Sequence, residues 1–437
     1  MSNQYDSFLN ALPNDWTFDR LKDVVSLRKE KTDEASTEED YLELEDMESG
    51  TGRIVNRRNT LEVGSSVTLF RKGDVLFGKL RPYLEKYYEA EFDGKCTGEI
   101  LAFKPERIAS RFLLYCVGSR WFIERCNAMA YGVKMPRVSW PTQLSQFNVP
   151  LPPLPEQQRI TAYLDASCAA IDAAVATKRR QQEILDALRK SAASQVLSQG
   201  LRPGMPQRDS GIETIGLIPS HWDVKQLRYA CEVNYGITLQ LEKGQSIGDG
   251  VRILTVSNIT IDGDLDLGHE YYIDPTDLTK ADYLRRGDLL FNWRNGSQYH
   301  VGKTAFFDLE GEFAHVSFLL RLRCGYKMYP FFLRSYLGVL KDTGFFAGAK
   351  DKVNKTFNSS ELNRLRVVIP PIDEQKEICW EIERRAKEVN DVKASIESQI
   401  AILTTYRKSL IHECVTGQRR ITEADVRRAQ NRRNRHE

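Results

Sequence analysis

The run Gly296-Ser297-Gln298-Tyr299-His300-Val301-Gly302-Lys303-Thr304 is the one stretch of these 437 residues that approaches a phosphate-binding loop. Such a loop needs four residues between its glycines, so that successive N–H groups converge on a phosphate, and it must lead into a helix. Here five residues separate Gly296 from Gly302, and the following Ala305-Phe306-Phe307 reads as a strand. A nucleotide-binding enzyme using the 296–304 loop would therefore rest on nine residues alone. The six histidines form no His-x-x-x-His pair, and the eight cysteines form no Cys-x-x-Cys pair, so neither a metal site nor a small disulfide framework is indicated. The cysteines are expected to be reduced thiols, several of them buried. There is no Gly-x-Gly-x-x-Gly and no Asn-Pro-Pro-aromatic signature of an enzyme that holds a flipped base. Glu374-Gln375-Lys376 fits a loose Glu-x-Lys nuclease pattern, but it stands at what reads as a helix start. No catalytic residue and no metal or cofactor site is predicted in this chain.

Contact with a polyanion is better supported by the residue types. The net charge is only +2, from 62 basic against 60 acidic residues, too little to coat nucleic acid indiscriminately. The charge is segregated, however. Residues 71–137 hold 13 Lys and Arg against 8 acids, and residues 285–366 hold 14 against 7. Residues 419–437 hold seven Arg against three acids, whereas residues 1–70 are acidic, with seven acids between Glu38 and Glu48. Two basic regions far apart in sequence suggest two contacts with one polyanion.

The elements that must position these residues follow from an internal duplication. Leu12-Pro13-Asn14-Asp15-Trp16 recurs as Ile218-Pro219-Ser220-His221-Trp222, an offset of 206. GDVLFGKLR from Gly73 recurs as GDLLFNWRN from Gly287, an offset of 214, and PPLPEQQRI from Pro152 recurs as PPIDEQKEI from Pro370, an offset of 218. Arg189-Lys190-Ser191 returns as Arg407-Lys408-Ser409 at that same offset of 218. Each half thus has a length-variable globular part followed by a length-fixed part. The fixed part reads as a long helix, because neither 156–199 nor 374–416 contains Gly or Pro. The paired prolines before each stretch force extended backbone and mark the start. Apolar residues recur at heptad-like spacing as Ile160, Leu164, Ile171, Leu185 and Leu188 in the first, and Ile382, Val389, Ile396, Leu403 and Leu410 in the second. Forty-four residues of helix make a rod of roughly 65 Å, too long to hide in one small core, so an antiparallel coiled coil between the two rods is expected. Gly200 to Gly211, with two Pro and three Gly, reads as a linker.

The expected layout is α/β or α+β, with two twisted-sheet domains at 1–155 and 218–372, helices at 156–200 and 373–418, a linker at 201–217 and a disordered basic tail at 419–437. No run of about 18 apolar residues and no signal-peptide pattern is present, so a cytoplasmic protein without membrane contact is expected.

These pieces together resemble the specificity subunit of type I restriction-modification systems. The resemblance is carried by SGIETIGLIPSHW (Ser210 to Trp222), the two Pro-Pro-x-x-Glu-Gln motifs, GDVLFGKLRPYL (Gly73 to Leu84), and ILTVSNITIDGDL followed by GDLLFNWRNGS and VGKTAFF. It covers nearly the whole chain, in both copies. The resemblance implies a noncatalytic subunit in which each globular part is a target recognition domain for one half of a split site on double-stranded DNA. It further implies that the paired helices separate these domains and dock two methyltransferase subunits. S-adenosylmethionine would belong to those partners, and ATP, Mg and the nuclease to restriction/translocase subunits. The halves differ between their shared landmarks, so an asymmetric target is expected, with helix length setting the gap.

Candidate DNA contacts are the basic residues that recur ahead of each Pro-Pro motif, Lys134 with Lys352 and Arg137 with Lys355. Lys79, Arg81, Arg294, Asn295 and Lys303 follow, since Arg and Asn make bidentate contacts to guanine and adenine edges. A coiled-coil scaffold without DNA binding is the remaining alternative, and it leaves the matched basic pairs without a purpose.

Overall fold

The computed structural model describes residues 7–32, 40–58, 67–238, 250–269, 271–295, 300–346 and 355–433. Its helices are α1 (Leu21–Val24), α2 (Ser110–Val117), α3 (Arg120–Met129), α4 (Leu154–Gln199), α5 (Pro330–Asp342), α6 (Ser359–Arg364), α7 (Ile372–Val415) and α8 (Glu423–Arg433). The chain forms two compact units, one of residues 1–180 with 396–437, the other of residues 181–395. Each unit therefore takes its own globular part, one segment of α4 and one segment of α7.

In the first unit a four-stranded antiparallel sheet runs in the order Val25–Leu27, Ile100–Pro105, Val75–Gly78, Tyr87–Glu89. In the second, the order Cys231–Tyr235, Leu319–Cys324, Leu289–Asn292, Thr304–Phe306 repeats that plan. A mixed sheet accompanies each, four-stranded in the first unit and three-stranded in the second, and in each a two-stranded pair (Thr17–Arg20 with Asn148–Leu151, Asp223–Gln226 with Arg366–Ile369) leads into the long helix. The Gly-Asp turns explain why the Val75 and Leu289 strands recur so faithfully. Gly73 and Gly287 sit at φ +88° and +95°, a conformation glycine adopts without strain. The next residues, Asp74 and Asp288, are buried, and each accepts its own turn's N–H at 2.8 Å, from Arg71 and Arg285. Each is also gripped through two nitrogens by an arginine of the neighbouring strand region, Arg28 at 2.9 and 3.2 Å and Arg323 at 2.7 and 2.6 Å.

A buried glutamine at the start of each long helix joins that helix to its globular part. Gln157 accepts the N–H of Ala109 at 2.8 Å and donates to the carbonyl of Pro152 at 2.9 Å. Gln375 accepts the N–H of Tyr329 at 2.7 Å and donates to Pro370 at 2.8 Å and Lys327 at 2.9 Å. Ala109 and Tyr329 are the residues before α2 and α5, so one side-chain amide ties together two helix starts.

Within each unit the two long-helix segments run antiparallel. In the first, Arg407 contacts Asp172 at 3.0 Å while Arg159 donates to the carbonyl of Ile421. In the second, Lys393 contacts Asp186 at 2.7 Å, and Gly200 lies against Glu374. Ile160, Leu164, Ile171, Ile396 and Leu410 are buried, Leu403 packs on the first unit's core and Ile382 on the second's. Leu185 and Val389 are half-buried, but Leu188 is 57% exposed. A straight helix of 3.6 residues per turn drifts off the heptad, which leaves Leu188 in solvent while Val196 is buried in the second unit's core. By composition α4 holds an 18-residue window of mean hydropathy 1.2, long enough for a bilayer span; Ile160, Leu164 and Ile171 show that its apolarity serves a core.

Two expectations are corrected. The 201–217 stretch is not a bare linker, since Gln207–Asp209 pairs with Leu217–Pro219. The 419–437 tail is not disordered over its described part: Ile421, Val426 and Ala429 are buried in the first unit's core, and Arg420 binds Asp15 at 2.7 and 2.9 Å and Glu156 at 3.1 Å. That guanidinium holds the Asp15 carboxyl at about 2. Arginine density alone suggested disorder; the apolar residues spaced between the arginines decide the outcome.

Removing one side of a buried hydrogen-bond group leaves its partners desolvated and unpaired, at about 1–3 kcal/mol each at most. Gln375→Ala is therefore expected to destabilise the second unit by roughly 3 kcal/mol, read as a lower denaturant midpoint, while Lys376→Ala, at an exposed position of the same unit, leaves it nearly unchanged.

Candidate nucleic-acid interface

The end of the Val75–Gly78 strand and the segment before Asn148–Leu151 meet to form a small platform in the first unit. Val138 N–H donates to Lys79 at 3.0 Å, Arg81 N–H donates to Pro136 at 2.7 Å, and Leu80 bridges Arg137. Residues 131–137 fold into a hairpin closed by two bonds between Tyr131 and Arg137, at 3.0 and 2.9 Å, with Gly132 at φ +99° in its turn. Lys79, Arg81, Lys134 and Arg137, about 55 residues apart in sequence, are thus brought together.

Their roles differ. Lys134 is exposed on the hairpin and Lys79 half-buried beside it. Arg81 makes a single long contact to the Lys134 carbonyl at 3.5 Å, and its Nε has no partner among the described residues, so most of its donors are unspent. Arg137, by contrast, is committed: Nε and Nη2 both donate to Glu99 at 3.1 Å, and that carboxylate raises its pKa further. This pair fixes the base of the hairpin and leaves Arg137 with fewer unspent donors than Arg81. The platform is braced from below. Arg81 and Glu85 are the two non-glycine residues at positive φ among those described, +49° and +50°, and they bracket the turn Pro82–Leu84. Such backbone persists only where its surroundings hold it; here Gly50 N–H donates to the Glu85 carbonyl at 2.9 Å and Lys408 of α7 reaches the Glu85 carboxylate at 2.6 Å.

The second unit repeats the platform. Arg294–Asn295 continues the Leu289–Asn292 strand and pairs with Lys355–Thr356, so that Arg294 faces Thr356 and Asn295 faces Lys355. Arg294 is exposed, with its guanidinium 5.7 Å from the Phe318 ring centroid. Beside it, Trp293 Nε1 donates to Ser317 at 2.7 Å and its ring meets Tyr235 edge-on at 5.5 Å. Lys352 lies outside the described residues.

Lys303 is corrected. It is buried, its Nζ donates to the Ile259 carbonyl at 2.6 Å, and burial lowers its pKa; it is a core residue and offers nothing to DNA. Thr304–Phe306, after Gly302-Lys303, is a strand paired with Leu289–Phe291, which removes the helix that a phosphate cradle requires; residues 296–299 lie outside the described set. Among the described residues no three His, Cys, Asp or Glu side chains gather as a metal site. The acidic stretch has a local explanation: Arg58 bonds Glu43 at 3.0 Å, Glu45 at 3.0 Å and Asp46 at 2.8 Å, and Arg57 bonds Asp40 at 2.6 Å. Glu38 and Glu39 lie outside the described residues.

Sequence reasoning selected charged residues and passed over apolar ones that share the platforms. Tyr83, Tyr131, Val133 and Met135 in the first unit, and Tyr235 and Phe318 in the second, are all exposed. The available signal was a Tyr-Gly-Val-Lys-Met-Pro run (Tyr131 to Pro136), largely apolar but without helix or strand period.

Residues 13–185 match the family model for the type I restriction modification DNA specificity domain. The chain is 32% identical over 207 residues to the MjaX type I restriction enzyme specificity subunit of Methanocaldococcus jannaschii, covering 46% of this chain and 47% of that protein. It is 30% identical over 169 residues to the EcoDI specificity subunit of Escherichia coli, covering 38% and 37%. The matched stretches thus span less than half of either relative. Among solved structures, a chain from work on complex assembly and conformational transition of the type I R-M system superposes with a TM-score of 0.72, at 21% identity, over 93% of this chain and 99% of that one. The HsdS subunit from Thermoanaerobacter tengcongensis gives 0.52 at 21% identity, over 93% and 98%. These two likenesses are of fold.

If the platform meets phosphates, each cation lost lowers the salt dependence of duplex binding by about 0.9 in the logarithmic slope. Lys134→Ala and Arg81→Ala are each expected to flatten the slope by about that amount in a salt titration with duplex DNA, whereas Lys303→Met lowers thermal stability and leaves the slope of the remaining folded protein unchanged.

Proposed function

We propose that the chain is a type I restriction-modification specificity subunit, the noncatalytic subunit that reads a split, asymmetric site on double-stranded DNA, one half with each unit. The observation that carries this reading is the recurrence of the platform. Two strands at repeat-equivalent places end in paired segments that present Lys79, Arg81 and Lys134 in one unit and Arg294 in the other. The frames are alike and the presented side chains differ, which suits two different half-sites. Two weak readers in one chain gain affinity through effective concentration, and basic side chains supply the salt-dependent share of it.

In this reading the chain works with two methyltransferase subunits and with restriction/translocase subunits, in the cytoplasm. S-adenosylmethionine, ATP and Mg belong to those partners. The long helices carry exposed apolar side chains that the unit cores do not use: Trp380, Val392, Ile184 and Leu188 in the second unit, Ile402 and Tyr406 in the first. Exposed apolar groups gathered on helices mark protein contacts, and in this reading the methyltransferase subunits cover them.

A modified-base map of the host genome, made with the gene intact and deleted, tests the function. Loss of one split, asymmetric adenine-methylation motif on deletion is expected; an unchanged map overturns the reading in an expressed system. For the partner contact, Trp380→Glu is expected to lower co-purification with the methyltransferase subunits at least tenfold while the variant's own melting temperature is unchanged, since Trp380 is 65% exposed and lies outside the packed core.

A further inference from the structure

We propose that Val133 is a specificity-determining residue that reads the C5 methyl group of a thymine in the half-site bound by the first unit. The inference rests on the DNA-reading function proposed above and names one chemical feature of its target. Val133 stands fully exposed in the 131–137 hairpin, where it contributes nothing to the core. An isolated exposed apolar residue is ordinary, but this one is not isolated. Tyr131 and Met135 of the same hairpin are exposed, and so is Tyr83 on the segment the hairpin is bonded to.

The hairpin is also held in place. Its two closing bonds, the Arg81 to Pro136 bond, the two-nitrogen grip of Glu99 on Arg137 and the braced turn at 81–85 fix its base from four sides. At its turn Gly132 lies at φ +99°, and a side chain there would come within 3.2 Å of the Met135 carbonyl, so the backbone is tight as well as left-handed. A preorganised loop that holds apolar side chains in water is arranged for a partner that covers them. Lys134 and Arg81 flank the same hairpin, so the partner is anionic around its rim and offers something apolar within reach.

Duplex DNA meets both conditions in one place. Phosphates line the groove edges, and among the base edges of the major groove the thymine methyl is the one apolar group; every other substituent is a hydrogen-bond donor or acceptor. A valine carries no hydrogen-bonding group and discriminates only by covering that methyl. Burying one methyl against one side chain is worth about a fourfold change in binding, so Val133 is expected to sharpen recognition at one base pair without supplying bulk affinity.

The test uses the full chain in complex with its co-expressed methyltransferase subunits and a duplex carrying the site found in the modified-base map. Each thymine of the site is replaced in turn by deoxyuridine, which removes the methyl alone. The wild-type complex is expected to lose about fourfold in affinity at one thymine, and Val133→Ala to show no loss at that thymine while responding normally elsewhere. Lys134→Ala is expected to weaken all duplexes alike and to keep the wild-type response to deoxyuridine. Val133 is outside the core, so an unchanged melting curve for Val133→Ala shows that the variant folds. A wild-type complex indifferent to every thymine methyl, or a Val133→Ala complex that retains the full deoxyuridine effect, overturns the inference. Absence of any split motif in the wild-type map overturns the functional reading instead, before this experiment begins.

Discussion

A buried amide at the head of each long helix is the constraint on which the rest of the molecule depends. A helix start presents N–H groups without intrahelical partners, and two helix starts brought together in an apolar core would multiply that cost. Gln157 and Gln375 resolve it by accepting from the residue before a second helix and donating to the proline carbonyl behind the first. Because the amide's acceptor and donor ends point to different segments, the long helix can leave the globular part in one direction only. The strand pairs that lead into the helix, and hence the segments ahead of them that form the platforms, inherit that direction.

The platforms themselves reflect an economy of charge. Arginines near the sheets are mostly spent on buried or half-buried carboxylates: Arg28 on Asp74, Arg323 on Asp288, Arg137 on Glu99, Arg407 on Asp172. Each such pair fixes a strand, a hairpin or a helix against its neighbour, and the attraction between its members offsets the desolvation that burial imposes. On the platforms, Lys79, Arg81 and Lys134 in one unit and Arg294 in the other have no carboxylate partner among the described residues, and they are what the platforms keep for a polyanion. A count of Lys and Arg in a sequence cannot separate these groups, since both look alike until the acids are placed.

That distinction marks how far the sequence was legible. The repeat, the two long helices and the strand that follows Gly302-Lys303 could be read, because hydrophobic period, proline and glycine act locally. The convergence of residues 79–81 with 131–137 could be expected only as far as both copies carried matched basic residues. Lys303 was misread because its burial depends on the Ile259 carbonyl, 44 residues away. Leu188 was misread because a heptad template was extended along a helix that packs its two segments on two cores. The C-terminal tail was misread because Ile421, Val426 and Ala429 are sparse among arginines, and their core is supplied largely by the other end of the chain. The misses at Lys303 and in the tail are long-range pairings that override local composition.

The two copies also solve one problem differently, and the difference bears on function. Glu156 and Glu374 stand at equivalent places before the glutamines. Glu156 receives the Trp16 indole N–H at 3.0 Å together with Arg420, while Glu374 receives His221 at 2.8 Å and the Trp222 indole has no partner among the described residues. The frame therefore tolerates changed chemistry one residue away from the amide that holds it. The platforms lie further out still, on segments whose backbone is pinned while their side chains face solvent. Residues 79–83 and 131–135 can vary without disturbing Asp74 or Gln157, and the segment around Arg294 can vary without disturbing Asp288 or Gln375. A chain built this way can keep one fold in both halves and still present different surfaces, which is the physical requirement for reading an asymmetric target with a duplicated domain.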